Sequence, residues 1–145
     1  MIRGKVAIYI EAPPRRIVSN GRSIRINVVI VNGLGHSFTV PGACNGWLRV
    51  GLESAAVRFQ AITTLIACAG KVIPPGVTRV SRTVITTYYE CSQGPVPSKS
   101  SDVRCVGPQH NQMPKLPAGV YHFAFDTSAI PHAQQERVMV TLTNR

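Results

Sequence analysis

Five short segments of this chain alternate apolar and polar residues with a period of two. Successive side chains of a β-strand point to opposite faces, so each segment has one apolar face to bury. The pattern therefore predicts an all-β, antiparallel fold of two packed layers. The five apolar sets are Val6, Ile8 and Ile10, then Ile24, Ile26, Val28 and Ile30, then Leu48, Val50 and Leu52, then Tyr121, Phe123 and Phe125, and finally Val138, Val140 and Leu142.

Turn residues between the apolar runs set the predicted strand bounds and give about 7–9 strands. The step Asn32-Gly33 indicates a hairpin, because both residue types tolerate a positive φ. For residues 56–69 a helix is the alternative, but the β-branched residues there favour strand. The predicted strands are Lys5–Glu11, Arg22–Val31, its hairpin partner Ser37–Val40, Gly46–Glu53, Val57–Gln60, Ile62–Cys68, Val77–Glu90, Val120–Asp126 and Glu136–Asn144.

Two stretches depart from regular alternation. Arg82 lies between Val80 and Val84, on the apolar phase of its strand, which predicts either an edge strand or a β-bulge. Residues 92–117 hold five prolines and form one long Pro-rich loop. Loops of this length are uncommon unless they have a function or a covalent constraint.

Four cysteines supply such a constraint, and they allow three disulfide pairings. We expect Cys44–Cys68 and Cys91–Cys105, because Cys105 lies in the long loop that follows Cys91. Two disulfides imply an oxidising environment. The alternatives are a zinc site that includes His110, although no Cys-x-x-Cys spacing is present, and four reduced, buried thiols.

The length of 145 residues indicates a single β-sandwich domain over residues 1–145. The charge is strongly basic, with sixteen Lys and Arg against six Asp and Glu. Such an excess predicts a negatively charged partner. Because no basic run exceeds two residues, the pattern favours an acidic protein or glycan surface over nucleic acid.

The sequence carries no recognisable targeting or membrane segment. The first residues lead directly into a predicted strand, so we expect no signal peptide in this chain. No stretch approaches the roughly twenty apolar residues of a transmembrane helix. The chain is then either made for the cytoplasm, or a mature form whose leader was removed, or a part assembled into a particle inside a cell and later exposed. The cysteines favour an extracytoplasmic or particle-exposed location, either secreted or on a virion exterior.

The ionisable residues form no catalytic pattern. The four histidines are far apart, and no two of the six acidic residues lie within three positions of each other. Neither a metal-ligand spacing nor a pair of catalytic carboxylates is visible. His122 alternates with Phe123 and is predicted to face solvent. We therefore expect no enzyme, no cofactor and no metal site.

Trp47 is the most informative candidate for recognition. It lies on the strand phase opposite to Leu48, so Trp47 and Arg49 are predicted to face outward, and Trp beside Arg is typical of interfaces. Tyr9, also on an outward phase, would extend this patch. The alternative is that Trp47 covers the disulfide of Cys44 at a strand end. The other candidate contacts are the arginines Arg15, Arg16, Arg22 and Arg25.

Three segments, 28–33, 73–76 and 116–121, resemble the small bacterial immunoglobulin-like (Ig-like) domains of the BsuPI type, the intracellular proteinase inhibitor-like family. The element Pro117-Ala118-Gly119-Val120-Tyr121 matches the Pro-x-Gly-x-Tyr that precedes a late core strand in such domains. The resemblance implies an antiparallel, two-sheet Ig-like β-sandwich. The cysteines and the Pro-rich loop depart from the family pattern, so no inhibitory residues are assigned, and fold alone does not define function.

These observations favour a non-enzymatic structural or interaction protein that docks into a larger assembly through a basic face, of the virion coat, decoration or surface-layer type. Its partners would be other protein chains, in an assembly or a homo-oligomer, with an acidic surface. The alternative is a secreted or cell-surface Ig-like binding module, which includes the protease inhibitors.

Overall fold

A computed structural model describes residues 3–40, 47–59, 70–91 and 103–144. Within these ranges the chain forms strands and no helix, which confirms the all-β class. The strands are β1 Val6–Glu11, β2 Arg16–Val18, β3 Ile24–Asn32, β4 Phe38–Val40, β5 Val50–Glu53, β6 Lys71–Ile73, β7 Gly76–Val84, β8 Gly119–Phe125, β9 Ala133–Gln135 and β10 Met139–Thr143.

The strands form two four-stranded sheets and one small sheet. Sheet 1 has the order β7-β3-β1-β9, sheet 2 has the order β2-β10-β8-β5, and β4 pairs with β6. Most neighbouring strands are antiparallel as predicted, but β9 joins β1 and β2 joins β10 in parallel. For β2, the reason is that the chain passes from sheet 1 to sheet 2 in the segment that holds Pro13 and Pro14. It therefore arrives at the far edge of sheet 2 instead of folding back beside β1.

The inner faces of sheets 1 and 2 form one hydrophobic core. In sheet 1 the buried pairs include Ile8 opposite Ile30, and in sheet 2 they include Leu52 opposite Phe123. Within the strands, the period-two pattern thus placed the buried faces correctly, because the members of each apolar set that belong to a strand lie on its inner side. Burial of each such side chain contributes about 1.5–3 kcal/mol relative to exposure.

The predicted hairpin at Asn32-Gly33 is wrong, because β4 pairs with β6 and not with β3. Asn32 is buried, and its side chain holds the segment between β3 and β4 in a conformation other than a tight hairpin turn. The amide Nδ2 donates to the carbonyl oxygens of His36 at 3.0 Å and Ile73 at 3.1 Å, while Oδ1 accepts from the Leu34 amide at 3.0 Å. A fully bonded asparagine therefore joins sheet 1 to the small sheet where the sequence indicated a tight turn.

Arg82 lies on an edge strand, which confirms one of its two predicted placements. β7 is the end strand of sheet 1, and its nine residues pair with β3 in one unbroken register, so there is no bulge. The strand ends at Val84, earlier than predicted. Beyond it, the amides of Leu116 and Tyr88 donate to the carbonyls of Thr86 and Pro114, so residues 86–88 pair with 114–116.

Cys91 and Cys105 form the expected disulfide, with their Cα atoms 4.9 Å apart. The bond excludes these two sulfurs as zinc ligands and as reduced thiols. Cys44 and Cys68 lie outside the described residues, as do Ile62–Cys68 and residues 92–102 of the Pro-rich loop. Val57, Arg58 and Phe59 form no strand, contrary to prediction. The sequence also did not predict β2, β6 and β9, which have only three residues each.

Candidate interaction surface

Trp47 is buried, so the prediction that it faces outward is wrong. Only 7% of its surface is exposed, and the ring belongs to the core cluster. Leu48, next to it, has a φ of 52°, a conformation that is strained for a branched residue. This left-handed residue shifts the side-chain phase before β5 begins at Val50, so the alternation that placed Trp47 outside does not extend back to it.

Two cations flank the Trp47 ring. The Arg82 Cζ atom lies 4.9 Å from the ring centroid and the Lys71 Nζ atom 5.7 Å from it, both within cation–π range. Arg82 Nε also donates to the carbonyl oxygens of Trp47 at 3.2 Å and Leu48 at 3.3 Å. Burial lowers the pKa of Arg82. These contacts join the edge of sheet 1 to the chain that enters sheet 2, so their role is structural.

Arg49 and Gly51 are also covered. Arg49 is half-buried, and its Nε atom has no hydrogen-bond partner among the described residues. Gly51 lies beneath Phe59 and Tyr89, whose rings meet edge to face at 5.6 Å. Burial raises the pKa of Tyr89 to about 12. The predicted outward patch of Trp47 and Arg49 is therefore occupied by the protein's own side chains.

The substitution Gly51→Ala tests this packing. A Cβ atom at position 51 would lie 1.8 Å from the Tyr89 hydroxyl oxygen and 2.3 Å from Phe59 Cδ2, so both rings must move. Overpacking of this kind costs about 1–3 kcal/mol of unfolding free energy, measurable by denaturant titration. In a Phe59→Ala/Tyr89→Ala background the same substitution should cost little. An equal cost in both backgrounds would contradict the packing.

Glu53 and His122 form a pair on the outer face of sheet 2. They are opposite each other on β5 and β8, and Glu53 Oε1 lies 3.2 Å from His122 Nε2. The other carboxylate oxygen of Glu53 accepts from the Phe59 amide at 3.0 Å. His122 lies on the outer face of its strand, but its side chain is only 19% exposed, so the prediction that it faces solvent is not confirmed. No group of three or more His, Cys, Asp or Glu in the described ranges is placed to hold a metal.

The four candidate arginines are all exposed, but they do not share one face. Arg16 lies on the outer side of sheet 2, whereas Arg25 lies on the outer side of sheet 1, opposite Thr83. Tyr9 shares the outer side of sheet 1 with Arg25 and is 36% exposed. The two outer faces of a sandwich point in opposite directions, so no single docking surface contains all the predicted residues.

Arg15 and Arg16 lie at the start of β2 and Arg22 follows its end by four residues in the chain, and a fourth basic residue approaches this segment. The stem of Lys115 passes Gly21, with Cγ 4.0 Å from the position a Cβ would have there. Ser19 Oγ donates to the Leu116 carbonyl and fixes this approach. We call Arg15, Arg16, Arg22 and Lys115 the basic edge. Sequence reasoning missed Lys115 because it is far from β2 in the chain.

The basic edge takes no part in the ion pairs found between described residues. These pairs join Arg79 to Glu11 and His122 to Glu53. Beside the basic edge, the outer face of sheet 2 carries exposed apolar side chains. Val18 is 40% exposed, Val120 59% and Met139 49%. In the register, Arg16, Thr141 and Val120 form one row across three strands.

Comparison with known proteins adds no relative. The chain matches no family model, no curated protein and no solved structure. Among the described residues, none forms a helix with the length and apolarity needed to cross a membrane.

Proposed function

We propose that this protein is a non-enzymatic β-sandwich that docks onto an acidic protein surface in a larger assembly, of the coat or decoration type. The observation that carries the proposal is the basic edge, whose four cations are exposed and take part in neither of the ion pairs found between described residues. Unpaired charges of one sign steer and orient an oppositely charged partner. The exposed apolar residues next to Arg16 supply area that excludes water around such contacts.

We further propose an Ig-like identity for the sandwich. The Tyr121 hydroxyl donates to the Pro117 carbonyl oxygen at 2.7 Å, four residues upstream. A tyrosine that bonds back to the chain in this way is the tyrosine corner of Ig-like and related Greek-key sandwiches. Burial raises the pKa of Tyr121 to about 12, so the hydroxyl keeps its proton at neutral pH. This bond supports the resemblance of the Leu116–Tyr121 segment to BsuPI-type domains.

The disulfide supports the proposed location. Cys91–Cys105 is typical of proteins that mature in an oxidising environment, and cytoplasmic reductants keep most such thiols reduced. A secreted or particle-exposed protein meets this condition. The second candidate function is that of a secreted or cell-surface Ig-like binding module outside any assembly. The same disulfide and tyrosine corner are expected in such a module.

The test compares protein recovered from its producing cells with recombinant protein. We expect the native sample to elute well above the 15.7 kDa of one chain in size-exclusion chromatography with light scattering. In a phenylglyoxal footprint, Arg15 and Arg16 should react more slowly in the native complex than in the recombinant protein. Arg25, exposed on the opposite sheet, is the internal control and should react equally in both. A native monomer with equal reactivity at all three arginines would refute the docking proposal.

A further inference from the structure

β2 leaves part of its backbone unpaired at the outer edge of sheet 2. The Thr141 amide donates to the Arg15 carbonyl and the Ser19 amide donates to the Thr143 carbonyl. With Thr141 opposite Arg16, this parallel pattern directs the backbone groups of Arg15, Ile17 and Ser19 toward β10. The N–H and C=O groups of Arg16 and the N–H of Val18 therefore point away from the sheet.

This edge is held in place for pairing. Ile17 is buried in the core, and Ser19 is fixed at its amide by Thr143 and at its hydroxyl by Leu116. The Val18 carbonyl accepts from the Asn20 amide, which ends the strand. No described residue bonds to the three outward groups of Arg16 and Val18. A short, fixed strand with free donors and acceptors is what an extended peptide needs in order to add to a sheet.

Charge identifies the peptide that fits. Arg15 and Arg16 lie along this edge, and Arg22 and Lys115 lie beyond its end, so an added strand would lie between positive side chains. A second copy of this chain is a poor occupant, because no two of its six acidic residues lie within three positions of each other. The complementary occupant is an extended segment of another protein that is rich in Asp or Glu.

β9, the end strand of sheet 1 on the side away from β7, provides an internal comparison for β2. It also pairs in parallel, and the Val6 and Glu136 amides donate to the His132 and Ile8 carbonyls. By the same geometry, the backbone groups of Ala133 and Gln135 point outward. No arginine or lysine lies within β9, and Arg137 beyond its end follows the acidic Glu136, so this edge offers backbone groups with less positive charge than β2.

We propose that the β2 edge binds an extended acidic segment of a partner protein by adding it as a fifth strand of sheet 2. This inference rests on the proposed docking function and specifies how docking occurs. Backbone bonds to Arg16 and Val18 supply the pairing, and the basic edge selects acidic side chains.

The probe is a fluorescein-labelled peptide of alternating Asp and Val, measured by fluorescence anisotropy at low salt. Val18→Pro removes the outward N–H without breaking a bond to β10, and proline is tolerated on edge strands in this position. We expect Val18→Pro to weaken binding about tenfold or more. The matched control Gln135→Pro, which removes an outward N–H from β9, should leave affinity within about twofold. Thermal unfolding checks that both variants remain folded.

Two further measurements keep the test decisive if Val18→Pro disturbs the fold. Arg16→Glu should abolish binding, whereas Arg25→Glu, on the other sheet, should not. On binding of the peptide, the Arg16 and Val18 amides should gain protection from hydrogen exchange, and the Ala133 and Gln135 amides should not.

A second peptide separates strand addition from simple charge attraction. It has the same number of Asp residues but proline in place of each Val, so it cannot form a ladder. Equal affinity for both peptides, or for duplex DNA of similar length, would overturn strand addition while leaving a basic docking surface intact. Protection of Arg15 and Arg16 in native complexes together with no peptide binding would also reject this inference without rejecting docking.

Discussion

Replacement of Phe123 by alanine is expected to lower the free energy of unfolding by about 3–5 kcal/mol. Phe123 is 2% exposed and lies opposite Leu52 in the middle of sheet 2, where the inner faces of both sheets meet. Its removal leaves a cavity that rigid strands on both sides cannot close. The size of the loss follows from the lost transfer free energy together with this cavity.

Urea titration followed by tryptophan fluorescence measures this loss, because Trp47 belongs to the same core. Val120→Ala is the matched control, since Val120 lies on the same strand but is largely exposed, and its cost should stay within about 0.5 kcal/mol. The denaturant slope should not change. A loss below about 1.5 kcal/mol for Phe123→Ala would show that sheet 2 does not pack on sheet 1 as described.

Removal of the disulfide by the double substitution Cys91→Ala/Cys105→Ala is expected to cost about 3 kcal/mol. The bond joins residues 14 positions apart, and in the chain-entropy model it stabilises the fold by restricting the unfolded chain. Locally it holds the turn where Val106 and Gln112 pair, and from there the chain runs to the buried Leu116.

Substitution is preferable to a reducing agent here, because it leaves Cys44 and Cys68 unaltered. Chemical denaturation of both proteins without reductant gives the difference directly. Hydrogen exchange should show lost protection first at the Val106 and Gln112 amides, which are bonded to the facing carbonyls. Unchanged stability, or exchange that rises equally over the whole fold, would contradict a local role for this bond.

The long strands were predictable because their burial follows a simple period. In β1, β3 and β8 every second residue faces the core, and the sequence shows this as apolar residues at every second position. The three-residue strands β2, β6 and β9 carry too few residues for any period. Their positions depend on pairing with a strand that is distant in the sequence, as β2 depends on pairing with β10.

Two errors came from reading local chemistry without its tertiary context. Asn32-Gly33 has the composition of a hairpin turn, yet the Asn32 side chain is used to bond Ile73, forty-one residues away. Trp47 has the phase of an outward residue, yet the left-handed Leu48 turns it into the core. The four candidate arginines are exposed, but only the sheet topology separates Arg25 from Arg16.

The position of β2 in the fold determines when, during synthesis, the β2 edge can form. Among the described strands, the neighbour of β2 in sheet 2 is β10, and β10 is synthesised after all the other described strands. A nascent chain therefore cannot display the Arg16 edge in its final form before residues 139–143 have emerged. If β2 binds a partner as proposed, binding is thus restricted to chains that include β10, and translation products that stop before it cannot bind in this way.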